Sequence, residues 1–225
     1  MSYDTGRANS VAIQRLGPDD GVHLAQNLVV TLRDSTFLPV VYPALFSKGI
    51  DEGSLHSYML SALVLVGDRL GYSPVSDAPI FDRLDKLLMG EGAKRPDAVW
   101  FQRGQEKIQC LIEFERYTSR SLVPKARNLL IMSKELQPSP HLIVLNYWTY
   151  STVSPEMLRE VQSVFAHGFR HTTSMTFPPL RCPALVLETL VAIQEVRARV
   201  QAIVPRLFVH GGEDKPYIVQ RLNTL

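Results

Sequence analysis

Asp97, Glu113 and Glu115 are the residues whose types and spacing offer chemistry. In the run KIQCLIEFERY the two glutamates stand two positions apart. On an extended chain, side chains alternate between faces, so both glutamates project one way while Ile108, Cys110, Ile112 and Phe114 project the other way into a core. Carboxylates set side by side repel and raise each other's pKa unless a proton or a cation lies between them. Asp97 opens the preceding apolar run, and a short hairpin brings its carboxylate beside Glu113. Oxygen ligands from these residues, with waters and a phosphate oxygen, match the octahedral shell of magnesium. Such an ion activates water and neutralises charge on a scissile phosphate. The plain alternative for paired glutamates is the solvated face of an edge strand.

These carboxylates need a frame. Residues 97–102 and 107–117 read as strands joined by Arg103-Gly104-Gln105-Glu106, hence an antiparallel hairpin. Ser121 is placed to cap a helix through Leu136, which Pro138 and Pro140 end before a strand over 141–148. A helical crossover of this kind makes that strand parallel to the acidic one. Upstream, the spacing predicts a helix through Leu32 capped by Asp19 or Asp20, and an extended or turning segment over 37–46 broken by Pro39 and Pro43. It then predicts a buried helix over 54–70 closed by Gly71, an edge strand over 72–80, a helix over 81–89 and a loop to Arg95. Downstream, Ser154-Pro155 opens a helix to about Phe165, and residues 184–204 read as a last long helix. From Pro205 the chain reads as a loop around Gly211-Gly212 and a short extended piece. Residues 1–18 read as a polar arm and 19–225 as one domain. The class is α/β, a mixed sheet flanked by helices.

RPDAVWF followed by CLIEFER, with a helix ending in LGY before them and a helix and strand after them, resembles the PD-(D/E)XK nuclease superfamily. That superfamily includes many restriction endonucleases and Holliday-junction resolvases, and the resemblance covers roughly residues 54–150. It implies a restriction endonuclease-like sheet with extra N- and C-terminal helices, and Mg2+- or Mn2+-dependent hydrolysis of DNA phosphodiester bonds. By the same resemblance, Asp97 and Glu113 bind the metal. The position usually held by lysine carries Glu115, which joins the metal and catalytic set. Lys125, one turn into the next helix, is the candidate for the displaced lysine. Arg116 is the weaker candidate, because strand parity turns it to the opposite face. Glu52 and Asp77 are candidates for an additional upstream acid. The nuclease reading suits a bacterium or its mobile DNA, and cutting two strands suits a homodimer. The alternative is a catalytically inactive relative that binds nucleic acid or protein, of the plasmid or conjugation accessory type.

Arg116, Arg120, Lys125 and Arg127, with Lys134 and Tyr117 nearby, form a local basic and aromatic group that could track DNA phosphates, or simply a solvated helix face. A net charge of +2 over 225 residues neither requires nor opposes a polyanionic partner, so any such surface must be local. His167 and His171, one helical turn apart, read as surface histidines rather than a metal pair, His56 as a partly buried, satisfied one rather than a phosphate contact, and Tyr147, Trp148 and Tyr150 as core packing, with base stacking as the alternative. Cys110 and Cys182 read as buried free thiols, which suits a reducing cytoplasm. The sequence contains no GxSxG, Walker or CxxC pattern, which removes weight from serine hydrolase, NTPase and zinc-ribbon readings. It shows no export signal or membrane-length apolar run, so a non-membrane, cytoplasmic protein is expected.

Overall fold

A computed structural model describes residues 21–77, 95–118 and 120–209, and the backbone of 218–221. The expectations for the arm, for the Asp19 or Asp20 cap, for the helix over 81–89 and for the loops at 90–94 and Gly211-Gly212 lie outside the described residues.

The described elements, in chain order, are α1 (Gly21–Arg33), α2 (Leu38–Val41), β1 (Ile50–Asp51), α3 (Leu55–Arg69), β2 (Tyr72–Ser76), β3 (Ala98–Gln102), β4 (Ile108–Arg116), α4 (Leu122–Glu135), β5 (Leu142–Thr149), α5 (Pro155–His167), β6 (Phe169–Arg170), β7 (Thr176–Phe177), β8 (Ala184–Gln194), β9 (Arg197–Val209) and β10 (Ile218–Arg221). The main sheet runs β1-β9-β8-β5-β4-β3-β2, with β10 also on β9, and β6 and β7 form a separate ribbon. Its centre is parallel, β4 with β5 and β5 with β8, and the flanking pairs are antiparallel.

Both faces of the sheet are covered. On one face α1 and α3 bring Leu28, Met59 and Leu63 against Ile112, Phe114, Trp148 and Leu187. On the other, α4 and α5 bring Leu129, Ile131, Val161 and Phe165 against Leu111, Leu145, Tyr147 and Val186. Every residue of β5 is buried, as a central strand covered on both sides requires. Gly67 lets α3 lie close to the sheet, because a Cβ there would come 2.7 Å from the Trp100 indole. Gly71 follows α3 at φ 89°, a left-handed conformation that ends the helix at low steric cost.

The expected elements from residue 54 to 167 are present, apart from the segment outside the described residues, and β4 and β5 pair in parallel as expected. Two segments differ. Residues 37–46 form short helical turns at Leu38–Val41 and Ala44–Lys48, because Pro39 and Pro43 fall at turn starts, where a missing N–H costs nothing. The long C-terminal helix expected over 184–204 is instead the β8–β9 hairpin. Its residues carry apolar side chains to both covered faces, Leu185, Leu187 and Val191 to one and Ala184 and Val186 to the other. The period of two is thereby erased, leaving a run rich in helix formers. Its turn gives no sequence signal either, since Glu195 and Val196, rather than Gly or Asn, take φ of 50° and 65°. β9 continues through Pro205 to Val209, so no loop starts at that residue.

Candidate active site

β3 starts where β4 ends, because the two are antiparallel with Ala98 opposite Ile112, and Asp97 therefore stands beside Glu113 at the carboxyl end of the central strands. The Phe114 N–H donates to Asp97 Oδ2 at 2.7 Å, fixing that carboxylate against the strand. Glu113 and Glu115 share the face toward α4, and Ile112 and Phe114 are buried on the opposite face, as strand parity predicts. The two glutamates differ in burial: Glu113 is fully buried, while Glu115 retains 31% of its side-chain exposure.

Lys125 covers Glu113. The corner between β4 and α4 is tied by Ser121, whose hydroxyl donates to the Arg116 carbonyl at 3.0 Å and accepts from the Thr118 N–H at 2.9 Å. Ser121 makes no side-chain hydrogen bond to the helix, so its role is to hold this corner rather than to cap. From the first turn of α4 the Lys125 ammonium reaches Glu113 Oε2 at 2.5 Å, Glu115 Oε2 at 3.6 Å and Asp97 Oδ2 at 3.9 Å. Burial opposes the charge on Lys125, but Glu113 at contact distance, with Asp97 and Glu115, outweighs burial and raises its pKa above the usual lysine value. For Glu113 the balance goes the other way. Burial drives its pKa up to about 7, Lys125 pulls it down, and the Asp97 carboxylate adds to the rise.

One ammonium among three carboxylates leaves an excess of negative charge, and Glu113 Oε1 is buried without a hydrogen-bond partner. An orphaned buried acceptor costs free energy unless something donates to it or coordinates it. Among the described residues, no three His, Cys, Asp or Glu side chains are gathered so as to hold a metal ion by themselves; the centre of the acidic cluster is taken by the Lys125 ammonium.

The upstream acids lie elsewhere. Glu52 Oε1 pairs with Arg116 Nη1 at 2.9 Å, and Asp77 is exposed, its N–H donating to the Asp97 carbonyl. Arg116 projects away from the cluster, as parity requires, and its guanidinium lies over the Trp148 and Tyr150 rings. The basic group does not form one surface. Lys125 is held inward, Arg127 and Lys134 lie over Phe169 and Phe177, and Arg120 is exposed. His167 and His171 are exposed, with the helix ending between them at Gly168. Cys110 and Cys182 are free and buried.

Three features near the site, two single residues and one ion pair, were not legible in the sequence. His56, expected to be partly buried and satisfied, is exposed on the first turn of α3, with Nε2 3.9 Å from Asp97 Oδ1 and its ring against Phe114. Tyr150, expected in the core with Tyr147 and Trp148, is 43% exposed, while those two are buried. Glu188 and Arg206 form a buried ion pair at 2.7 Å on the same sheet face, in the segment that reads as a helix. An Ile-Glu-Phe-Glu alternation announces a strand face; none of these three has a comparable local pattern.

No helix among the described residues is long and apolar enough to cross a membrane. The chain matches no known family model, no curated protein and no solved structure.

Proposed function

We propose that this chain is a divalent-cation-dependent nuclease that hydrolyses phosphodiester bonds of DNA, with Asp97, Glu113 and Glu115 as its acidic centre and Lys125 as its lysine. The observation that supports it most is the reach of Lys125: an ammonium from a different element meets all three carboxylates at the strand ends. The restriction endonuclease-like arrangement, with the lysine moved from strand to helix, accounts for why Glu115 stands in the lysine position.

The donor set suits a hard cation. It offers carboxylate oxygens, an excess of negative charge and one buried oxygen, Glu113 Oε1, with no partner. Magnesium or manganese, held by Asp97, Glu113 and Glu115 with the Lys125 ammonium shifted from their centre, would neutralise charge at the phosphate and acidify a water. The protein's own groups divide the remaining work. The Phe114 N–H and Lys125 hold Asp97 in place. Lys125, its pKa raised by its acidic neighbours, stays charged at neutral pH, so it donates hydrogen bonds to a water or a phosphate oxygen and does not act as the base. In a homodimer two such centres would serve the two strands of a duplex. A second reading rests on the same ammonium: it already occupies the centre of the cluster, as in a relative that binds without cutting.

Plasmid and single-stranded DNA incubated with magnesium or manganese test the proposal. Wild type cleaves, and Asp97→Ala, Glu113→Gln and Lys125→Met each lose about a hundredfold or more in rate. In the same samples metal stabilises wild type by about 2–3 kcal/mol at a hundredfold excess over its dissociation constant, and Asp97→Ala abolishes the gain. Wild type that neither cleaves nor gains stability from either metal leaves the binding reading in its place.

A further inference from the structure

Next to the acidic cluster, at the same end of the sheet, lies a group of residues that the hydrolytic roles above do not use. Arg116 follows Glu115 directly, and its N–H donates to Glu115 Oε1 at 2.9 Å. Its side chain crosses to the other face, where Glu52 holds it at 2.9 Å with the guanidinium 5.1 Å from the Trp148 ring and 5.9 Å from that of Tyr150. Trp148 is 4% exposed and Tyr150 43% exposed, so one ring is a fixed floor and the other is open to solvent.

Tyr150 is held from several directions. Its ring meets Trp148 edge to face at 5.5 Å and 82°. The Glu52 carboxylate that also holds Arg116 lies near its hydroxyl and, after burial, raises its pKa. The backbone on either side is closed by Thr149, whose hydroxyl donates to the Ser151 carbonyl at 2.8 Å and accepts from the Ser151 N–H at 3.2 Å. A single exposed aromatic residue is ordinary on a protein surface. This one is pre-ordered, sits beside a cation and lies about 10 Å of strand beyond Tyr147, the β5 residue paired with Glu115.

We infer that Tyr150, backed by Trp148 and flanked by Arg116, is a stacking platform for an unpaired base of single-stranded DNA, next to the phosphate held at the acidic cluster. An exposed ring stacks on any base, and a ring already fixed by its neighbours loses little entropy on binding. Arg116 supplies the cation for the adjoining phosphate, and Glu52 keeps it extended toward the rings rather than folded onto Glu115. Paired bases are stacked on one another and offer the ring no free face, so the platform selects single strands, frayed ends or flaps over intact duplex. This inference deepens the nuclease reading and depends on it for the neighbouring phosphate.

Fluorescence anisotropy with a labelled oligothymidylate and with a labelled blunt duplex tests the inference, measured with chelator and again with calcium. Tyr150→Ala weakens single-strand binding about tenfold and leaves duplex binding within about twofold, and Tyr150→Phe, which keeps the ring, stays near wild type. Circular dichroism and thermal melting of the same variants show that each is folded. Equal losses on single strand and duplex, an unchanged affinity in Tyr150→Ala, or wild type that binds no single strand under either condition would overturn it. The two readings separate cleanly. Selective loss of single-strand binding in a protein that never cleaves keeps the platform and removes the nuclease, whereas cleavage by wild type with no effect of Tyr150→Ala does the reverse.

Discussion

Two partly buried cations meet carboxylates on the α4–α5 side of the sheet, in opposite proportions. Arg206 and Glu188 pair one to one at 2.7 Å, and the other Glu188 oxygen accepts the Val153 N–H at 2.9 Å, so the charges match and both carboxylate oxygens are used, although Arg206 Nη1 is buried without a partner. Lys125 faces three carboxylates, and Glu113 keeps one buried oxygen without a partner. The two regions are close relatives in the sheet: Glu113, Leu145, Val186 and Arg206 form one transverse row, and Glu115, Tyr147 and Glu188 lie in a row on the same face. The balanced pair connects β8, β9 and the loop before α5, which is the work of a structural tie. The unbalanced cluster concentrates unrelieved charge at the carboxyl ends of the strands, an arrangement that lowers stability and is therefore expected where a ligand or a reaction makes use of it.

The largest effect expected from this comparison belongs to the balanced pair. Glu188→Ala leaves Arg206 buried without its carboxylate and frees the Val153 N–H, and it lowers the unfolding free energy by about 3–5 kcal/mol. Urea unfolding of wild type and variant measures it. A loss under about 1 kcal/mol would mean that the pair is solvated in solution and would remove the structural half of the contrast.

The unbalanced cluster responds with the opposite sign. Burial raises the Glu113 pKa from 4.5 to about 7 in the folded chain, so between those values the folded state holds a proton that the unfolded state has released. Stability therefore falls as pH rises across that window, and above it the ionised group carries a penalty on the order of 3 kcal/mol. The raised pKa of Lys125 gives a slope of the same sign in a higher window: its favourable contribution is fully present below the ordinary lysine value and is lost as pH rises through the raised one. With chelator present, Glu113→Gln should abolish the fall between pH 5 and about 7 and leave the variant more stable than wild type at pH 7.5. An identical pH slope in the two proteins would show that Glu113 is not the group responsible.

How far the sequence revealed these two regions follows from what each needs to be seen. The acidic cluster lies on a strand with one polar and one apolar face, joined to its neighbour by a short glycine-containing turn, so parity places Glu113 and Glu115 together, and one turn of helix brings Lys125 to them. The burial of Glu113 was not legible, because it depends on how closely α4 packs. The balanced pair lies on strands covered on both faces, where alternation vanishes, and next to a turn of Glu195 and Val196 that carries no turn signal. Glu188 and Arg206 meet only through the β8–β9 register, with Val186 opposite Arg206, and a helical reading of the same residues cannot bring them together. Tyr150 and His56 are single residues whose exposure depends on the packing around them, and a pattern of spacing does not report that.

The smallest effect tests whether the two regions are separate at all. Glu113 on β4 and Arg206 on β9 are three strands apart, about 14 Å at ordinary strand spacing, a separation at which substitutions normally act independently. Tyr147 lies between them: it is fully buried, its hydroxyl has no hydrogen-bond partner, and burial, with the nearby Glu188 charge, raises its pKa while the Arg206 charge beside it opposes the rise. If that hydroxyl merely fills space, the changes in unfolding free energy for Glu113→Gln and Arg206→Met add to within about 0.5 kcal/mol in the double variant. That is the expected result, because Leu145 and Val186 fill the row between the two charges with apolar side chains. A coupling of about 1 kcal/mol or more would instead show one polar system running through Tyr147. Repeating the cycle in Tyr147→Phe, which removes only the hydroxyl, decides between them: if coupling disappears with the oxygen, Tyr147 carries it, and if it persists, the sheet backbone does.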